Sequence, residues 1–236
     1  MDTIDLKSFF AGVNYDWHKD EEQIKQICYY TKTREDPSRQ SFQLTRGCEQ
    51  PFLLKAIAES FGVRRFFEFG TGRGTASCSL ALCPGIEEIL TTDILEWDQK
   101  FPTAIGHRAV EASIKDFWDL IPYAEKAKVR FQHVIPLLDE VKGMYQRFDA
   151  CFIDADHTDE KLIRAHFEVC EFLVKPDGLF IFDDYGPERF AVKRVVDKLI
   201  VDRPQLHPML IEFHGHLFGE EPEYQEGLVI LSRRIK

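Results

Sequence analysis

Apolar and polar positions along the chain change rhythm near residue 51. Before it the residues are polar with aromatics interspersed, as in "FFAGVNYDWH" and "QICYYTKTRED", and read as irregular and helical pieces rather than a separate domain. Over "PFLLKAIAESFG" apolar positions recur at helical spacing, with Pro51 at the start and Gly62 at the stop. Short apolar runs then alternate with helical stretches. Strands are predicted at 64–70, 87–93, 128–134, 148–154 and 179–184, and helices at 75–85, 106–121, 136–145, 160–174 and 188–202. Two further runs, 209–215 and 226–234, read as strands closing the sheet. The alternation predicts an α/β fold with a mostly parallel seven-stranded sheet and helices on both faces. It divides the chain into an N-terminal helical segment, 1–50, and an α/β domain, 51–236.

In such sheets ligands bind outside the carboxyl ends of the strands. Two predicted strands end there in acids. One runs into Asp154, Asp156 and His157, and the other closes on Asp183 and Asp184. Like charges a few ångströms apart raise one another's pKa unless a cation neutralises them. Three aspartates at matching strand ends therefore point to a hard divalent cation, Mg²⁺ or Mn²⁺. Read singly, Asp183 is a helix cap, Asp184 a solvated group and Asp154 a turn residue.

The first strand runs into "EFGTGRGT", which carries Glu68, Gly70, Gly72 and Gly74 ahead of a helix. Glycines at this junction let the backbone turn sharply and approach a ligand closely. A dinucleotide fingerprint needs its third glycine at position 75, where Thr75 stands, so the spacing disfavours a nicotinamide-dependent oxidoreductase. Asp93 ends the second strand, where an acid accepts hydrogen bonds from ribose hydroxyls.

Composition narrows the class. The net charge of −10 argues against a nucleic-acid partner, whose phosphates need a cationic surface. No stretch approaches the roughly 20 apolar residues of a membrane span, and the N-terminus lacks a basic, then apolar, leader. A cytoplasmic protein with reduced cysteines is expected, because the six Cys form no CxxC and no grouping with His.

"FFEFGTGRGT" with Asp93 resembles the first two motifs of class I S-adenosylmethionine-dependent methyltransferases, over about residues 51–236. The resemblance implies a Rossmann-like sheet with a terminal antiparallel strand pair. It implies cofactor contacts at Glu68, Gly70, Thr71, Gly72, Gly74, Asp93 and Asp154, with Glu68 near the amino group of S-adenosylmethionine. "DADHTDEKL" with "DDYG" resembles the metal-dependent small-molecule O-methyltransferases, of catechol and caffeoyl-coenzyme A type and the sugar and macrolide relatives. Carried across, the metal ligands are Asp154, Asp183 and Asp184. His157 stands where the catechol type has its general-base lysine, and the sugar-modifying relatives use the second acid of D-x-D, here Asp156. Relatives with "DDY" act on sugars and polyketides, which implies a secondary-metabolite hydroxyl as acceptor. A metal-independent C- or N-methyltransferase and a non-catalytic cofactor-binding partner are the rival readings. Tyr15, Trp17, His18, Tyr29 and Tyr30 fit a substrate lid, a homodimer contact or ordinary packing.

Overall fold

The computed structural model describes residues 1–33, 43–45, 47–105, 108–133, 141–187, 189–213, 217–218 and 227–233. The chain opens with β1 (Asp2–Asp5), α1 (Leu6–Gly12) and α2 (Glu21–Thr33). The α/β part begins with α3 (Glu49–Ser60), β2 (Arg65–Phe69), α4 (Thr75–Ala81) and β3 (Glu88–Asp93). A hairpin, β4 (Phe101–Ile105) and β5 (Arg108–Ala112), precedes α5 (Ile114–Leu120) and β6 (Val129–His133). Then come β7 (Phe148–Ile153), α6 (Glu160–Leu173), β8 (Val174–Tyr185), α7 (Phe190–Asp202), β9 (His207–Glu212) and β10 (Gly227–Ser232).

Eight strands form one sheet in the order β1-β9-β10-β8-β7-β2-β3-β6, and β4 pairs only with β5. Within the large sheet β10 runs antiparallel to β8 and β9, and the other neighbours are parallel. From β2 the chain winds outward first through β3 and β6, then back on the other side through β7 and β8. The crevice at that reversal lies at the carboxyl ends of β2 and β7, where a parallel sheet binds ligands.

Alternate residues of the central strands serve the two faces. Phe66, Phe152 and Ile181 pack with α1, α3 and α4, whereas Phe67, Phe69, Ile153 and Phe182 pack with α6 and α7. Both faces being covered explains the uninterrupted apolar runs, and each fully buried Phe contributes about 1.5–3 kcal/mol. No helix among the described residues is long and apolar enough to cross a membrane.

The sequence-based expectation fails in four places. Residues 106–121 do not form one helix. Residues 108–112 are strand β5, and the helix starts only after Ser113. Ser113 Oγ accepts from the Asp116 N–H (3.2 Å) and Asp116 Oδ2 accepts from the Ser113 N–H (2.8 Å), a capping box that fixes the start. The predicted strand at 179–184 extends back to Val174, across "KPDG", with a register shift against β7. An eighth strand, β1, adds to the sheet edge beside β9. Of the helix expected at 136–145, residues 136–140 lie outside the described residues, and Lys142–Met144 form a 3-10 turn.

Candidate active site

The cleft is built on one close contact. Gly70 follows β2 with φ +93°, and a Cβ there would stand 2.1 Å from the Asp154 carbonyl oxygen. Only glycine lets the loop after β2 pass directly against the strand end that carries the D-x-D acids. Backbone bonds close this seam: the Asp154 N–H donates to the Phe69 carbonyl (3.0 Å) and the Gly70 N–H to the Thr92 carbonyl (2.9 Å). The glycine loop and Asp154 therefore line one cavity of about 270 Å³, shared with Glu68, Arg73 and Gln50.

Glu68 is buried at the end of β2, and its Oε2 accepts from the Ser77 and Thr91 hydroxyls. Burial pushes its carboxyl up to about 7, against the lowering effect of those two hydroxyls. Asp93 accepts the Gly72 N–H on Oδ2 and the Leu95 N–H on Oδ1, both at 2.9 Å. It thus holds the glycine loop in place, and each oxygen keeps further acceptor capacity.

The acids lie beside this cavity. Asp183 is buried; its Oδ2 accepts from Gln50 Nε2 (2.5 Å), and its Oδ1 is buried with no hydrogen-bond partner. Burial, and then the Asp184 charge, push Asp183 up to about 7. The same two causes, with Asp183 the larger of the charges, hold Asp154 well above the usual carboxylate range. Asp184 adopts φ +54°, a left-handed conformation that costs a non-glycine residue roughly 1–3 kcal/mol. In that position its Oδ2 lies 2.8 Å from His157 Nδ1 and 3.7 Å from Arg189 Nε. The bond to Asp184 raises the His157 pKa, and His157 Nε2 stands 4.0 Å from Asp154 Oδ1.

Asp156 is used differently. Its Oδ1 accepts the backbone N–H groups of Thr158 (2.6 Å) and Asp159 (2.7 Å), which lower its pKa and shape the turn into α6. Of the residues expected at the site, Glu68, Gly70, Thr71, Gly72 and Asp154 line the main cavity, and Gly74 caps α4 behind the loop. Asp93 and Asp156 border a smaller pocket of about 70 Å³ alongside.

The donor set suits a hard divalent cation. Asp154, His157 and Asp184 each offer one ligand atom, all within 4.8 Å of one another; Asp183, expected as a ligand, is not one of that group, although its Oδ1 is buried without a hydrogen-bond partner.

A family model described as a methyltransferase domain matches residues 67–185, from the glycine-loop strand through the second acid pair. The chain belongs to the methyltransferase-domain family. No curated protein matches it in sequence. Solved structures of similar fold include an O-methyltransferase from Bacillus cereus in complex with S-adenosylhomocysteine, 18% identical over 96% of this chain and 99% of that one, TM-score 0.56. The O-methyltransferase TomG from Streptomyces achromogenes, involved in tomaymycin synthesis and in complex with S-adenosylmethionine, is 18% identical over 97% and 99%, TM-score 0.57. A methyltransferase from Geobacter sulfurreducens is 14% identical over 99% of both chains, TM-score 0.55.

Sequence reasoning overlooked four residues around the cleft and its acids. Gln50 reaches Asp183 from 133 positions away, and nothing local announces such a contact. Arg189 and His166 lay on helical patterns that read as ordinary, and Arg73 was one variable position among glycines. The N-terminal aromatics pack. Trp17 meets Phe52 and Phe218 edge-on at 5.7 Å, Tyr15 donates to Asp20, Tyr29 is buried, and Tyr30 accepts from Gln26; His18 is exposed.

Proposed function

We propose that this methyltransferase domain transfers a methyl group from S-adenosylmethionine to a hydroxyl of a small molecule, with Mg²⁺ or Mn²⁺ at the acidic cluster. The observation that carries the reading is the Gly70–Asp154 seam, which joins the glycine-loop cavity to the strand-end acids. The cofactors of the Bacillus and Streptomyces proteins support S-adenosylmethionine, and their O-methyltransferase activity supports a hydroxyl acceptor. The "DDY" pattern and the part TomG plays in tomaymycin synthesis favour a secondary metabolite.

S-Adenosylmethionine supplies a methyl group on a sulfonium. Glu68, Asp154 and the Gly70, Thr71, Gly72 and Gly74 backbone bind its methionine end, and Asp93 takes the ribose hydroxyls. Asp154, Asp183 and Asp184 would hold the cation, whose charge favours the ionised form of a substrate hydroxyl. His157 accepts the hydroxyl proton. Asp184 pairs with Nδ1, so Nε2 is the acceptor face, and the carboxylate behind the ring raises its proton affinity. Asp156 is the poorer base, because two backbone N–H groups already stabilise its charge. From the N-terminal side, Gly47 and Gln50 line the cleft.

The test is methyl transfer from labelled S-adenosylmethionine across a panel of hydroxyl compounds. Chelation should abolish transfer and added Mg²⁺ restore it. His157→Ala should lower kcat by about 10²–10⁴-fold, and Asp156→Ala far less; the reverse order moves the base to Asp156. A specific observation favours a second reading, in which the cluster binds no metal: His157 and Arg189 already bring positive charge to Asp184. Full activity in chelator would establish that reading.

A further inference from the structure

The main cavity carries charges of both signs. Glu68 lies at its buried end, and Arg73, half-buried in the glycine loop, is the one cationic side chain among the described residues that line it. Arg73 is held in place from two sides. Its Nη1 donates to the Thr31 carbonyl in the last turn of α2 (3.3 Å), and its guanidinium lies over the Phe117 ring of α5, 5.9 Å from the centroid. Burial lowers its pKa, the mark of a cation short of hydration. A desolvated guanidinium is stabilised by an anion, and its planar fork of N–H donors matches a carboxylate.

Resting on the reading of the cofactor as S-adenosylmethionine, we propose that Arg73 binds the carboxylate of its amino-acid end. Glu68 faces the ammonium of the same end, so the cavity reads a zwitterion. Arg73 is then a specificity-determining residue. It makes the cavity prefer S-adenosylmethionine and S-adenosylhomocysteine to analogues that keep the sulfur and the amine but lack the carboxylate.

Calorimetry on the full chain tests this with two probes, S-adenosylhomocysteine and its decarboxylated counterpart, S-adenosyl-3-thiopropylamine. The wild type should bind the first about 10–100-fold more tightly, the range of a charge-assisted pair. Arg73→Met should lose that advantage, weakening S-adenosylhomocysteine by the same factor and leaving the thiopropylamine within twofold. Arg73→Lys should retain part of it, as a point charge without the fork. The thiopropylamine also reports whether the variant site is intact. Equal loss of both probes in Arg73→Met makes Arg73 a packing residue and overturns the proposal. So does unchanged affinity for S-adenosylhomocysteine. A wild type that binds neither probe overturns the cofactor reading itself, and this inference with it.

Discussion

Glu68 and His166 flank Phe69 and titrate in opposite senses. Glu68 is 1% exposed, and its carboxyl is pushed from an ordinary 4.5 up to about 7, chiefly by burial. His166 on α6 is also 1% exposed, stacks on Phe69 with centroids 4.3 Å apart, and has no hydrogen-bond partner on either ring nitrogen. Burial lowers its pKa from 6.5 to about 4. The acid, raised in the folded state, contributes stability that is complete below pH 4.5 and lost as pH rises through about 7. The imidazole, depressed in the folded state, contributes stability that is complete above 6.5 and lost as pH falls towards 4. Each effect is on the order of 3 kcal/mol. Urea unfolding of the ligand-free protein between pH 4.5 and 7.5 separates them. Glu68→Gln should flatten the decline of stability with rising pH, and His166→Leu should steepen it. Slopes equal to the wild type in both variants would show that neither group titrates as its burial dictates. Neither behaviour was legible in the sequence, where Glu68 was a motif position and His166 one residue of an amphipathic stripe; burial is a property of the assembled fold.

At the scale of elements, the capping box at Ser113 separates strand from helix. Ser113→Ala should destabilise the protein by about 1 kcal/mol in thermal unfolding, and Ser113→Asp, which preserves the cap, by much less. The signal was present in the sequence as S-x-x-D, yet the apolar positions of 106–121 were read at helical spacing straight through it. What hid the hairpin is that β4 and β5 pair only with each other, off the main sheet, and their sequences, FPTAI and RAVEA, carry no apolar run like those of β2, β3, β7 and β8. Those four strands were legible because both their faces are covered. The edge strand β1, "DTID", was not, because its exposed and half-buried side chains leave no apolar run and main-chain pairing to β9 defines it. The strand-end acids could be assigned to one crevice from topology alone. Their partners, Gln50 and Arg189, could not, since one comes from α3 and the other from the approach to α7.

For the molecule as a whole, a buried ion pair ties the stretch before α2 to α3. Lys55 of α3 is 2% exposed, its Nζ lies 2.9 Å from Asp20 Oδ1, and Tyr15 donates to Asp20 Oδ2 at 2.6 Å. Breaking such a pair by removing one partner leaves an uncompensated charge and costs about 3–5 kcal/mol, whereas replacing both by apolar groups is nearly neutral. Lys55→Met should therefore lower the unfolding midpoint sharply, and adding Asp20→Leu should recover most of the loss. If the double variant is as unstable as the single one, the fastening lies elsewhere. The segment contributes to the larger assembly in a second way, since Leu6, Phe9 and Phe10 of α1 belong to the same core as Phe52 and Phe66.

The missing Cβ at Gly70 has a consequence for redesign. With no gap between the loop after β2 and the backbone at Asp154, the two shift together as one mechanical part. Any change in the width of the cleft therefore has to come from side chains outside this seam. Enlarging Gly70 would displace the glycine loop and Asp154 at once.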